Sequence, residues 1–369
     1  REVHLPSYQD ASRATVRMQA TADNAVFTGM ERSHAGKVWG QVWLPEPGTV
    51  VTAQSLACFV SPQHEKLGSA LYYNSVGAGQ VYTFAYSLGY SQLLLMQGRG
   101  TTRDLGSFPE RVSAQGGRDG DVTMWGDQVV TDAEDQYFPS ADYHILPVLN
   151  IMRAAAEVDL LVAPVPQGKE CGVIFTGDSD RAGADLLNRY SDLLAGFGLR
   201  ATQFLLRADY DARELNPGCE YGIHPLFHET ERACFDKIVS YGFDPLKLVS
   251  ARRHCLVQYG LTDTLERMAE CGIRYSSNNW DFPYPQTESS AFLYGTGLPH
   301  HVYAWEGHQI GIVDIPQVFM DYQPVFERTQ AVYRDVRRTH GVGAWNFHPQ
   351  NLSIPGVREA IEWLAREVG

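Results

Sequence analysis

Two hydrophobic rhythms divide this chain. Near the N-terminus the alternation has period two, as a strand with one buried face requires. It runs through Lys37-Val38-Trp39-Gly40-Gln41-Val42-Trp43-Leu44 and stops at the turn Pro45-Glu46-Pro47-Gly48. A β-branched apolar run follows from Thr49 to Val60. Ala70 to Ser75, the glycine pair Gly77 and Gly79, and Gln80 to Tyr86 then read as strand, turn and strand, a hairpin. The run Leu93-Leu94-Leu95-Met96 is strand-sized. Residues 1–105 therefore read as a β-rich domain. From 101 to 142 Gly, Asp, Arg and Ser are frequent and the period is lost, which predicts a long irregular insertion or lid. Tyr143 to Val162 regains a helical pattern through Leu146, Leu149, Ile151, Met152 and Ala155. Pro164, Pro166 and Gly168 mark a linker, so residues 106–168 form an insertion, helix and linker.

From Cys171 onward, short apolar runs alternate with amphipathic segments. Strands are predicted at 173–176, 201–206, up to His224, 247–250, 274–277, 311–315 and 343–347. Helices are predicted at 184–197, 230–241, 262–271, 324–339 and 357–368, with Gly198, Gly242 and Gly272 as stops. Asp281 to Gln309 reads as irregular. Repeated strand–helix alternation implies parallel strands with helices outside, so residues 169–369 form an α/β domain, an open sheet or a barrel.

With 369 residues the chain has room for about two or three domains and a large core. No apolar run approaches the roughly 18 residues of a membrane-spanning helix. The net charge of −13 argues against nucleic acid as a partner, because phosphate binding needs clustered Lys and Arg. Six cysteines without a C-x-x-C pair exclude a zinc ribbon and leave room for one or two bridges among the last five. Cys58 reads as a buried core thiol. The chain starts at Arg1 without an initiator methionine, which we read as a fragment of a longer chain or the result of a removed targeting segment.

The polar residues sort to the predicted C-terminal ends of the strands, where parallel α/β folds carry their chemistry. Asp178 and Asp180 follow the first strand, and His224 and His228 a later one. Pro225 suits a first helical position, which would put His228 one turn into a helix and on the same face as His224. Arg252, Arg253 and His254 follow the next strand, then Asn278, Asn279 and Trp280, and His348 follows the last. His300, His301 and His308 read as surface or pocket rim. A zincin peptidase is excluded, because Pro225 stands where the glutamate of His-Glu-x-x-His belongs.

In this order and spacing, residues 171–369 resemble the polysaccharide deacetylases, metal-dependent carbohydrate esterases of the NodB-homology type. The motifs are the strand ending in two aspartates, Glu220-Tyr221-Gly222-Ile223-His224 running on to His228, the arginine at 252 or 253, Trp280, and Trp345-Asn346-Phe347-His348-Pro349. The Gly-Ile-His-Pro and Arg-x-His variants resemble a divergent branch acting on surface or exported polysaccharides. The hairpin near residue 80 weakly resembles the closing strands of glutamine-amidotransferase-like domains.

The resemblance implies a distorted (β/α)7 barrel preceded by a β-rich or α+β domain, and removal of acetyl groups, mainly N-acetyl, from a polysaccharide. It implies Asp180, His224 and His228 as ligands of a divalent metal, Zn2+ first and Co2+ or Ni2+ next. Asp178 is then the base, His348 the acid, and Arg252 the partner that keeps Asp178 ionised. Trp280, Arg253 and His254 are placed at the substrate, and His254 could replace or join the histidine ligands. A secreted, periplasmic or cell-surface protein is expected. One departure stands out: Ser179 separates the two aspartates, which are adjacent in the family. Residues i and i+2 of a strand share a face, so both carboxylates can still reach one pocket. The alternative reading is a deacetylase-like module that binds glycan without turnover.

Overall fold

The computed structural model describes residues 2–3, 16–21, 24–28, 30, 36–38, 42–44, 52–61, 63–97, 99–100, 117–119, 122–125, 128–129, 139–156, 165, 168–206, 210–226, 229–256, 262–278, 296–304, 306–321 and 325–369. Its N-terminal half is built on an antiparallel sheet of β1 (Val16–Ala20), β2 (Gly36–Val38), β3 (Gln54–Val60), β4 (Lys66–Val76) and β5 (Gly79–Phe84), in the order β2-β1-β3-β4-β5. The glycine hairpin is present, with Val76 paired to Gly79 and Gly77 in the left-handed region that favours glycine. Three expectations are corrected. The alternating run from Lys37 to Leu44 is not one strand: Gly36–Val38 pairs with β1, whereas Val42–Trp43 pairs with Glu2–Val3. The stretch from 101 to 142, expected to be irregular, carries antiparallel strands among its described residues: Gly117–Asp119, Val122–Trp125 and Gln128–Val129 form one sheet with Arg99–Gly100. The run Leu93 to Met96 lies in α1 (Leu88–Gln97). The predicted helix near Tyr143 is α2 (Ser140–Ala156). Cys58 is buried, and the five cysteines described are free thiols.

The C-terminal half follows the predicted alternation closely. Its elements are β6 (Gly172–Asp178), α3 (Ala184–Ala195), β7 (Ala201–Leu205), β8 (Glu220–Ile223), α4 (Glu231–Ser240), β9 (Ser250–Ala251), α5 (Asp263–Glu270) and β10 (Tyr275–Ser276). There follow β11 (His300–Tyr303), β12 (Gln309–Asp314), β13 (Gln317–Met320), α6 (Val325–Arg338), β14 (Val342–Asn346) and α7 (Val357–Val368). Gly198, Gly242 and Gly272 adopt positive φ past the ends of their helices. Two strands lie outside the predicted pattern. β11 falls inside the stretch read as irregular and pairs antiparallel with β12. β13 is buried along its whole length, so it shows no alternation.

The sheet order is β11-β12-β10-β9-β8-β7-β6-β14-β13, parallel except for β11. β12 pairs with β10 near one end and β13 pairs with β14 at the other, yet only Ile315 and Pro316 separate the two strands. One chain segment therefore bridges both ends of the sheet, which must curl to allow it. Helices pack outside through two cores, one around Leu187, Ile223, Ile238 and Met268, the other around Tyr190, Val336, Trp345 and Ile361.

Hydrogen bonds clasp the halves together. The Gln97 side chain donates to Tyr303 O at 3.1 Å and accepts from Tyr303 N–H at 2.9 Å. The buried Asp142 carboxylate accepts from Thr296 Oγ1 and from Gly297 N–H. No helix among the described residues is long and apolar enough to cross a membrane.

Candidate active site

Alternation along β6 sends Phe175 outward to stack on Phe347 and leaves Ile174, Thr176 and Asp178 on the inner face. The turn after it is pinned: Ser179 N–H donates to Phe204 O, and Ser179 Oγ accepts from Leu206 N–H at 2.8 Å. Asp180 is thereby carried back over the inner face. His224 follows β8 with its N–H on Leu205 O, Arg252 follows β9 with its N–H on Ile223 O, and His254 N–H donates to Pro225 O. Parallel register thus aligns the strand ends.

His224 Nδ1 lies 2.6 Å from Arg252 O. A carbonyl only accepts, so Nδ1 carries the proton, and in the neutral ring Nε2 presents a lone pair. That nitrogen is 3.3 Å from Asp180 Oδ1, and both atoms are buried without a hydrogen-bond partner. Two lone pairs facing each other at this distance repel unless a cation lies between them. His254 Nε2 is 3.7 Å from the same oxygen, and ligand atoms of Asp180, His224 and His254 all lie within 4.8 Å of one another. The donor set fits a divalent cation: one carboxylate and two imidazoles, with the His224 tautomer fixed by a carbonyl behind it.

The electrostatics agree. Burial pushes the Asp180 carboxyl up, but the surrounding His224, His348 and His254 rings, when protonated, hold it well below the usual carboxylate range. Burial, with His224 nearby, lowers His254 to about 4, so it is a neutral donor at neutral pH. Asp178 is also buried, and Arg252, His224 and His348 together bring it below its ordinary value. Arg252 Nη1 donates to Asp178 Oδ1 at 3.0 Å, and Asn346 Nδ2 donates to Asp178 Oδ2 at 2.7 Å. The Arg252 guanidinium is itself fixed by Thr176 Oγ1, Ser277 O and Ser277 Oγ, and lies 4.5 Å from the Phe204 ring centroid.

His348 closes the far side. Its Nδ1–H donates to Asp321 Oδ1 at 2.6 Å, and its Nε2 faces Asp180 Oδ2 at 3.6 Å. Burial alone would lower its pKa, but the Asp321 carboxylate outweighs burial and raises it to about 9.

Asp178, Asp180, His224, Arg252, His254 and His348 thus converge. His254, expected at the substrate, instead groups with Asp180 and His224. Arg253, expected at the substrate, lies apart from this cluster: it is fully buried, pairs with Glu231 and donates to Leu226 O at 2.9 Å. Its strand neighbour Arg252 takes the inner face, so Arg253 is sent outward among the helices. No described helix starts at Pro225; α4 starts at Glu231, with Thr230 Oγ1 accepting from Ala233 N–H as its cap. His228 and Trp280 lie outside the described residues. Asp321 is absent from the sequence reading. It follows β13 as Asp178 ends β6, and the missing signal is that of β13 itself, buried on both faces.

The model of the WbmS-like family of polysaccharide deacetylases matches residues 175–355. Among solved structures, the chain is similar to a candidate polysaccharide deacetylase involved in O-antigen biosynthesis from Bordetella bronchiseptica. Identity is 23%, the match covers 58% of this chain and 85% of that one, and the TM-score is 0.38. No curated protein sequence matches. The family match spans β6 to the turn beyond His348, the same stretch that supplies every residue of the cluster, and on it the C-terminal domain of this chain belongs to the polysaccharide deacetylase family.

Proposed function

We propose that this protein is a metal-dependent hydrolase that removes acetyl groups, mainly N-acetyl, from a polysaccharide, on a sheet that closes as a distorted (β/α)7 barrel. The observation that carries the reading is the pair of unpartnered lone pairs on His224 Nε2 and Asp180 Oδ1, 3.3 Å apart beside His254. Asp180, His224 and His254 would hold the cation, and Zn2+ suits this oxygen and nitrogen donor set. A cation held there supplies Lewis acidity toward water and an acyl oxygen.

The protein's own groups divide the proton work. Asp178 is ionised and has each oxygen anchored by one donor, which leaves a further lone pair to take a proton from attacking water. Arg252 keeps it charged and oriented. His348 carries its proton at Nε2 and gives it to the departing amine or alcohol, while Asp321 steadies the imidazolium. A carboxylate held ionised and an imidazole held protonated in one cleft form an acid–base pair with separated roles. That complete pair favours turnover over a glycan-binding module without activity. With a polymer of this kind as substrate, the location proposed is secreted, periplasmic or at the cell surface.

Acetate release from a panel of acetylated polysaccharides, with added Zn2+ or Co2+, tests the reading. Release that disappears on chelation and in Asp178→Asn supports it. A protein that binds Zn2+ yet releases no acetate from any acetylated polymer sinks it.

A further inference from the structure

The inner columns that end in the site continue below it. Ile174 and Thr176 stand under Asp178, Gly222 under His224, Ser250 under Arg252 and Ala344 under Asn346. Closed parallel sheets normally fill this space with bulky branched side chains. Here Thr176, Thr202, Ser250 and Ala344 stand beside Ile174, Phe204 and Ile315, and a cavity of about 420 Å3 remains. A Cβ on Gly222 would lie 2.6 Å from Ser250 O and Oγ, so this column has no room for a side chain.

The cavity reaches from Thr176 and Ser277, which both hold the Arg252 guanidinium, to Glu220 and Tyr275, exposed at the N-terminal ends of their strands. Ile174 and Thr202 keep partial solvent access along the way. One buried hydroxyl on its wall, Ser250 Oγ, has no hydrogen-bond partner among the described residues, although the residue is over nine-tenths buried. Apart from Glu220 at the mouth the lining carries no charge.

We propose that this cavity is a second binding site, entered from the end of the sheet opposite the metal cluster. Its ligand is a compact, uncharged, mostly apolar molecule with a hydroxyl or similar group for Ser250. The volume falls in the range of small-molecule pockets, and apolar walls with a few convergent polar groups are their usual make-up. The occupant touches Phe204, near whose ring Arg252 lies, together with Thr176 and Ser277. Its presence therefore bears on the guanidinium that holds Asp178. This inference does not depend on the deacetylase reading.

Benzyl alcohol is a suitable probe. Titrated into the full chain, it should give saturable shifts of the Ile174, Thr176 and Ala344 methyl resonances, and of the Arg252 Nε–H, which is buried and bonded to Ser277 O. Ser250→Ala, which removes one hydroxyl and nothing else, should weaken binding about five- to tenfold. Ala344→Val should abolish it if the variant folds. Shifts that never saturate, or that Ser250→Ala leaves unchanged, overturn the site. Saturable methyl shifts with a stationary Arg252 Nε–H overturn its coupling to the guanidinium.

Discussion

His348 and Asp321 form the tightest acid–base contact in the cleft: Nδ1 donates to Oδ1 at 2.6 Å, and the His348 backbone N–H donates to the other carboxylate oxygen at 2.9 Å. The bonds fix the ring and favour its charged form, which is raised from 6.5 to about 9 despite burial. A raised pKa contributes stability that is complete below the unfolded value and lost as pH rises through the folded one. Metal-free protein should therefore lose stability between about pH 6.5 and pH 9, by at most about 3 kcal/mol. Urea unfolding across that window measures it. Asp321→Asn should flatten the slope and bring the His348 ring titration down toward neutrality by NMR.

Asp178→Asn keeps an acceptor for Arg252 and removes the proton acceptor. Acetate release should fall about 100- to 10,000-fold, as for loss of a general base. Zn2+ affinity by calorimetry should change little, because Asp178 is not in the ligand cluster. Equal losses of both would mean that Asp178 is a ligand.

His254→Ala separates the ligand set in this structure from the one that sequence spacing implies. Removing a direct ligand should weaken Zn2+ binding by more than the roughly 10- to 100-fold that a supporting residue costs. His300→Ala, partly exposed on β11, should leave it unchanged. Unaltered affinity in His254→Ala would return the third ligand to His228.

Arg253 and Glu231 are both buried, and Glu231 also accepts from Arg267 Nε at 2.7 Å. Removing one member leaves a charge without its partner in the interior. Glu231→Gln should cost about 3–5 kcal/mol of folding stability. In Arg253→Met, denaturant midpoint should drop while KM of the folded fraction stays the same; a raised KM at unchanged stability would restore a substrate role.

Gly222 lies where the β8 backbone approaches β9, and its added Cβ would meet the Ser250 backbone oxygen at 2.6 Å. Backbone cannot step aside as a side-chain tip can. Gly222→Ala should destabilise by about 1–3 kcal/mol, seen as a lower thermal midpoint, whereas Gly311→Ala, with open space around it, should not.

Much of this protein is written locally. Strand–helix alternation after residue 171, the glycine stops and the final helix at 357–368 follow from hydrophobic period and backbone preference, which act over a few residues. So does the clustering of Asp178, Asp180, His224, Arg252 and His348 at strand ends, since parallel sheets put those ends on one side. Tertiary structure alone decided which neighbours matter. Arg252 and Arg253 are adjacent in sequence, and only the facing of β9 assigns one to the site and the other to Glu231. Asp321 meets His348 because β13 and β14 are paired neighbours, a relation between positions 27 residues apart that no local pattern carries. His254 joins Asp180 and His224 for the same reason: coordination depends on distance across strands, and the sheet register sets that distance.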